Sequence, residues 1–154
     1  MKSLAFTIYF LIKIHYPCDD INTVRYYNGL LDSVMQSYCF AGIEYDLATD
    51  KTQTADLDIY PEQIVFQEVS ELGTTTGNAL FNPKVFGTPY IRLSVFVPYN
   101  NMYHILKHEV GHFLGLRHSN DTLSLMYPIF SGENLQLSRN DSLTLIDIYD
   151  DPKH

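Results

Sequence analysis

Apolar residues fall on every second position from Leu4 to Ile14 (Leu4, Phe6, Ile8, Phe10, Ile12, Ile14), the period of a strand with one buried face. The rhythm then changes. Val24, Tyr27, Leu30, Leu31, Val34, Met35 and Tyr38 recur at helical spacing, after Tyr16-Pro17 opens a turn and Asp19 or Asp20 offers a cap. This stripe reads as core packing. Gly42 marks the helix exit, and Ile43 to Leu47 alternates as a second strand. Ala55 to Tyr60 predicts a third, ending near Pro61, whose nitrogen has no hydrogen to give a sheet ladder. Ile64 to Val69 is apolar and either extends that strand or forms a connection. Tyr90 to Val97, rich in β-branched and apolar residues between Pro89 and Pro98, predicts a further strand. Asn100 or Asn101 then caps a helix running to about Leu114, on which Ile105, Leu106, Val110, Phe113 and Leu114 supply an apolar face. Ser138 or Asn140 begins a last helix carrying Leu143, Leu145, Ile146 and Tyr149.

At 154 residues the chain is long enough for one domain with its own core, and no repeat or low-complexity linker divides it. A net charge of −8 argues against nucleic acid and anionic membrane as partners. No segment is long and apolar enough to span a bilayer. Asp141, Asp147, Asp150 and Asp151 gather near the C-terminus and read as a solvated acidic surface. Cys18 and Cys39 either form one bridge or stay free, because two cysteines do not make a disulfide framework. Lys2 ahead of an apolar run also fits a secretory leader. Lys13 interrupts that run and no small-residue cleavage site follows, so the strand reading is preferred and the compartment stays open.

The chemistry is concentrated in His108-Glu109-Val110-Gly111-His112-Phe113-Leu114-Gly115-Leu116-Arg117-His118, an HExxHxxGxxH pattern. On a helix, His108 and His112 lie one turn apart and face the same way, so both imidazoles can bind one zinc ion. Gly115 can take the left-handed conformation that ends the helix, which swings His118 back as a third ligand. Three protein ligands leave one coordination position open, the arrangement of a catalytic zinc. Glu109 is then placed to take a proton from a water activated by the metal and to return it to the leaving amine.

Ser124-Leu125-Met126-Tyr127-Pro128 follows, with Met126 eight residues after His118. With these two elements the chain resembles the metzincin clan of zinc endopeptidases. Among them it is most similar to the matrixins, whose Met-turn commonly reads Ala-Leu-Met-Tyr-Pro at the same spacing. The resemblance implies an α+β fold in which a twisted, mostly parallel five-stranded sheet carries a backing helix and an active-site helix. A small C-terminal subdomain then holds the Met-turn, with Met126 beneath the metal, and the final helix. Residues 1–118 and 119–154 would be the two subdomains of a single catalytic domain. Many matrixins also carry an Ala-Asp-Ile strand, similar to Ala55 to Tyr60 here.

The same resemblance implies that Pro128, Ile129 and Phe130 form the wall of the S1′ pocket, which an apolar lining would make selective for apolar side chains. His104, one turn before His108, is either a helix-surface histidine or, following the matrixin pattern, part of the base of that pocket. His15 and His154 read as surface residues. Gly77, Asn78, Ala79, Leu80 and Phe81 are similar to the edge strand above the matrixin cleft, along which a protein or peptide substrate would lie extended. Tyr127 inherits no metal-side role. Metzincins that use a tyrosine there carry it two places after the methionine, where this chain has Pro128.

The implied activity is a zinc-dependent endopeptidase with His108, His112 and His118 as ligands and Glu109 as general base. The alternative is a catalytically silent or masked member that binds peptides or proteins. Degenerate enzymes usually lose a ligand or the base, and this chain keeps all four residues. Matrixins hold a structural zinc and calcium through a loop rich in His and Asp, but Glu71 to Val97 contains neither residue type. One catalytic zinc is therefore expected, with no structural zinc and no calcium. The context of Cys18 does not match the inhibitory propeptide cysteine of the family, and a monomer is expected.

Overall fold

The computed structural model describes residues 7–63, 72–80 and 83–150. The first strand, β1, runs Ile8–Ile14 and buries Phe10, Ile12 and Ile14, as the alternation predicts. Leu4, Phe6, the Ile64–Val69 segment, Phe81, Asp151 and His154 lie outside the described residues. Helix α1, Ile21–Gln36, starts at Asp20, whose carboxylate accepts from the Thr23 backbone N–H. Its buried stripe is Tyr27, Leu31, Val34 and Met35. A short 3-10 turn, Cys39–Ala41, ends at Gly42 with φ 74°, and β2 follows as Ile43–Leu47.

β3 spans Leu57–Glu62 and so continues past Pro61, contrary to the expected stop. The ladder geometry explains this. The Ile59 carbonyl accepts from the His15 N–H on the β1 side, and backbone groups alternate sides along a strand. Pro61 therefore presents its nitrogen toward β1, beyond the last paired residue, Ile14, and no sheet bond is lost. β4 is Gly73–Thr76, α2 is the single turn Pro83–Phe86, and β5 is Tyr90–Ser94. β5 stops three residues short of the expected Val97, because Ser94 turns the chain. Its hydroxyl accepts from the Phe96 N–H and its carbonyl from the Val97 N–H.

The sheet order is β2-β1-β3-β5-β4, parallel throughout except for β4, which runs antiparallel at the edge. Helix α3, Tyr99–Leu114, is capped at Pro98, whose carbonyl takes the Asn101 and Met102 N–H groups; neither Asn100 nor Asn101 is the cap. Helix α4, Arg139–Asp150, follows the Ser138 cap, where the Ser138 hydroxyl accepts from the Asp141 N–H.

Packing on one sheet face fixes α3 in place. Ile105, Leu106, Val110, Phe113 and Leu114 are all buried there with Ile91 and Leu93 of β5. The Tyr38 hydroxyl donates to the Lys107 carbonyl at 2.6 Å and ties the end of α1 to the middle of α3. The Tyr149 hydroxyl donates to the Leu114 carbonyl at 2.7 Å and ties α4 to the end of α3. Phe10 packs edge-on against both Phe113 and Tyr149, linking these helices to the sheet centre. Leu145 and Tyr149 are α4's contribution to the core, while Leu143 and Ile146 are exposed.

The opposite sheet face carries polar and aromatic pairs, including Arg92 with Glu62 and His15 with Asp58. Cys18 and Cys39 are free and exposed. No helix among the described residues is long and apolar enough to cross a membrane.

Candidate active site

Helical periodicity brings His108 and His112 to one face of α3, and backbone carbonyls then fix both rings. His108 Nδ1 lies 2.6 Å from the Leu125 carbonyl, and His112 Nδ1 lies 2.8 Å from the Leu116 carbonyl. A carbonyl can only accept, so each Nδ1 carries the hydrogen and each Nε2 is left with its lone pair. Gly115 ends α3 with φ 113°, a region that side chains other than glycine's disfavour. The turn lets the Leu116 N–H reach the Gly111 carbonyl and returns the chain so that His118 faces the other two rings.

The three candidate ligand nitrogens lie within 4.8 Å of one another. His108 Nε2 and His112 Nε2 are 3.1 Å apart. Two lone pairs at that distance repel unless a cation lies between them. Tetrahedral zinc with bonds of about 2.05 Å would hold two nitrogens about 3.3 Å apart, so the pair fits the ion. Burial pushes the pKa values of both imidazoles below the usual histidine range, which favours the neutral form that binds metal.

Met126 is fully buried against Gly111 of α3, and a turn holds it there. The Tyr127 N–H donates to the Ser124 carbonyl, the Met126 N–H to the Ser124 hydroxyl, and the Ser119 N–H to the Met126 carbonyl. A Cβ at Gly111 would come 2.7 Å from Met126 Sδ, so α3 settles onto the turn only because that position is glycine. Ser124 donates to Asp141 Oδ2 at 2.6 Å, and the same oxygen accepts from the Ser138 N–H and hydroxyl. Asp141 is therefore a buried junction between turn and helix, not part of a solvated acidic surface. The spacing Ser138 to Asp141 matches a capping box and was the available sequence signal. Nothing in the sequence pointed to Ser124.

Glu109 is buried beside the ligands, and burial pushes its carboxyl upward while the Thr75 hydrogen bond and the nearby His112 act against that shift. The Thr75 hydroxyl sits against Glu109 Oε2 and lies 3.1 Å from the Glu109 carbonyl. These residues open onto a cavity of about 580 Å³ that runs along α3. Leu72, Gly73, His104, Pro128, Phe130 and Arg117 are among the residues that line it. His104 is partly buried and stacks on Phe130 at 6.3 Å, and its Nδ1 has no hydrogen-bond partner among the described residues. Ile129 is exposed and does not line the cavity.

Asn134, which sequence reasoning missed, holds this wall in place. Its side chain accepts from the Ser131 N–H and donates to the Ile129 carbonyl. The antiparallel edge strand lies at Gly73–Thr76, four residues before the segment expected from Gly77 to Phe81. Gly77 leaves the strand at φ 77°, Asn78 accepts from the Leu80 N–H in a turn, and the Ala79 N–H donates to Phe113 at the end of α3.

The sequence profile of the matrixins matches residues 32–150. Among individual proteins, the chain is similar to karilysin of Tannerella forsythia, 44% identical over 48 residues, which are 31% of this chain and 10% of karilysin. It is 49% identical to interstitial collagenase of Aquarana catesbeiana over 41 residues, 27% of this chain and 11% of that protein. It is 42% identical to matrilysin of Felis catus over 52 residues, 32% of this chain and 20% of that protein. The chain thus covers a fifth or less of these relatives' length. With the family profile matched from within α1 to the end of α4, on a five-stranded, mostly parallel sheet above a three-histidine cluster, the chain belongs to the matrixins, a family of zinc-dependent metallopeptidases.

Proposed function

We propose that this chain is a zinc endopeptidase cutting proteins or peptides, with 1–118 and 119–154 as the two subdomains of one catalytic domain. The observation that carries the reading is the convergence of His108, His112 and His118, two of them with Nδ1 held by a backbone carbonyl, beside the buried carboxylate of Glu109. His108, His112 and His118 would hold one zinc ion, which supplies the Lewis acidity that polarises a peptide carbonyl and acidifies water. Glu109 accepts the proton of the attacking water and later delivers it to the leaving nitrogen. Low solvent access around Glu109 makes that proton transfer less costly than it would be at an exposed carboxylate.

Among the described residues the outer edge of β4 has no strand partner, and Gly73, Thr74 and Thr75 line the cavity. An extended peptide adds to that edge as a further strand, with backbone bonds supplying affinity and the cavity supplying selectivity. Pro128 and Phe130, with His104 stacked on Phe130, act as the pocket for the side chain just after the cut bond. Met126 acts as the Met-turn residue under the metal. One zinc per chain and no calcium requirement follow from the absence of His and Asp between Glu71 and Val97.

A mixed peptide library incubated with purified protein, with and without a zinc chelator, tests the reading beside Glu109→Ala. Chelator-sensitive cleavage that drops about 100-fold or more in the variant is expected. One bound zinc per chain without any cleavage would move the silent binding-module reading ahead.

A further inference from the structure

We infer that Thr75 is a positioning residue for hydrolysis, fixing the Glu109 carboxylate through its hydroxyl; this rests on the endopeptidase reading above. Gly73 and Thr75 occupy the same face of β4, the face turned toward α3. At Gly73 the strand approaches so closely that a Cβ would stand 3.1 Å from Glu109 Cγ. Two residues on, the Thr75 hydroxyl meets Glu109 Oε2 and the Glu109 carbonyl oxygen. Among the described residues, Thr75 supplies the hydrogen bond to that carboxylate. One position is thus emptied to admit the glutamate stem, and the next supplies a group that holds its tip.

A hydroxyl suits a proton-carrying partner because it has one hydrogen to donate and lone pairs to accept. It donates to the carboxylate before the proton is taken. Afterwards it can accept from the carboxyl and turn its own hydrogen to the Glu109 carbonyl. A glutamate side chain left loose would lose rotamer freedom at each turnover, and a misplacement of about 1 Å costs about 100-fold in rate. Thr75 takes no proton from substrate or water itself. Its role acts through Glu109.

The test uses zinc-loaded protein as wild type, Thr75→Val, Thr75→Ala, Thr75→Ser, Glu109→Ala and the double variant Glu109→Ala with Thr75→Val. Valine keeps the shape and strand preference of threonine and removes only the hydroxyl. We expect Thr75→Val and Thr75→Ala to lower kcat about 10- to 100-fold with KM and bound zinc unchanged, and Thr75→Ser to stay within about threefold of wild type. In thermal unfolding, Thr75→Val should lower Tm by about 2–4 °C more when Glu109 is present than in the Glu109→Ala background. Wild-type kcat in both Thr75→Val and Thr75→Ala, or Thr75→Ser as slow as these two, overturns the inference. If wild type itself cuts nothing, the endopeptidase reading fails, and the unfolding comparison still decides about Thr75. Equal Tm shifts in the two backgrounds would show that the hydroxyl does not hold the carboxylate.

Discussion

His108 and His112 on α3 each owe their chemistry to a carbonyl outside their own turn of helix. Leu125 and Leu116 fix which nitrogen of His108 and His112 is free, and the two carbonyls arrive from the Met126 turn and from the chain just past Gly115. Gly111 belongs to the same arrangement. In an ordinary exposed helix, Gly→Ala stabilises by up to about 1 kcal/mol. Here the new Cβ would meet Met126 Sδ at 2.7 Å and the Tyr38 hydroxyl at 3.0 Å, and both side chains are fully buried, so either must repack to make room. Gly111→Ala is therefore expected to destabilise by about 1–3 kcal/mol, read as a lower denaturant midpoint. An unchanged or raised midpoint would mean that Met126 can move without cost. The convergence of His108, His112 and His118 beside Glu109 was legible in the sequence, because their spacing is local and helical. Thr75 was not, since it stands 34 positions from Glu109 and meets it only across a folded strand and helix.

Among the elements, α4 and the turn before it depend on one carboxylate. Asp141 Oδ2 accepts from Ser124, from the Ser138 hydroxyl and from the Ser138 N–H, so it caps a helix and anchors the Met126 turn together. Removing it leaves the buried Ser124 hydroxyl and two further donors unpaired. Asp141→Ala should cost about 2–4 kcal/mol in denaturant unfolding, against about 1 kcal/mol for Ser138→Ala, which removes the cap alone. Equal costs for the two would detach the turn from the helix cap. Strand and helix identities followed from periodicity, but their ends did not. β3 runs through Pro61 because the missing hydrogen faces an unpaired side, and β5 stops at Ser94 because that hydroxyl captures the chain. Both outcomes turn on which neighbour lies alongside.

For the molecule as a whole, stability, metal and pH are linked through the same imidazoles. Burial lowers the pKa values of His108, His112 and His104. The unfolded chain takes up protons on these groups near pH 6.5, and the folded protein only at lower pH. Their stabilising contribution is therefore complete above about pH 6.5 and is lost as pH falls through the folded values. Metal-free protein should keep a steady Tm from pH 8 to 7 and lose stability as the pH falls below about 6.5. A flat profile over that range would show that the three rings are equally easy to protonate in both states. Adding zinc at about 100 times its Kd should stabilise the protein by about 2.7 kcal/mol near neutral pH, and by less as the ligands protonate. Differential scanning calorimetry with and without chelator reads both effects.

By itself, the sequence determined which three histidines converge, the order of strands and helices and the membership of a family, because each of these is written in spacing along the chain. His108 and His112 are neighbours through helical pitch, and Gly115 makes the turn to His118 through its own backbone freedom. The tertiary structure decided what surrounds them. It set the edge strand at Gly73–Thr76 in place of Gly77 to Phe81, turned Ile129 outward, buried Asp141 and brought Thr75 to Glu109. The edge strand and Thr75 depend on the register between β4 and β5 and the packing of α3 over them, and Ile129 and Asp141 on contacts with Asn134, Ser124 and Ser138, all fixed only when the folded segments meet.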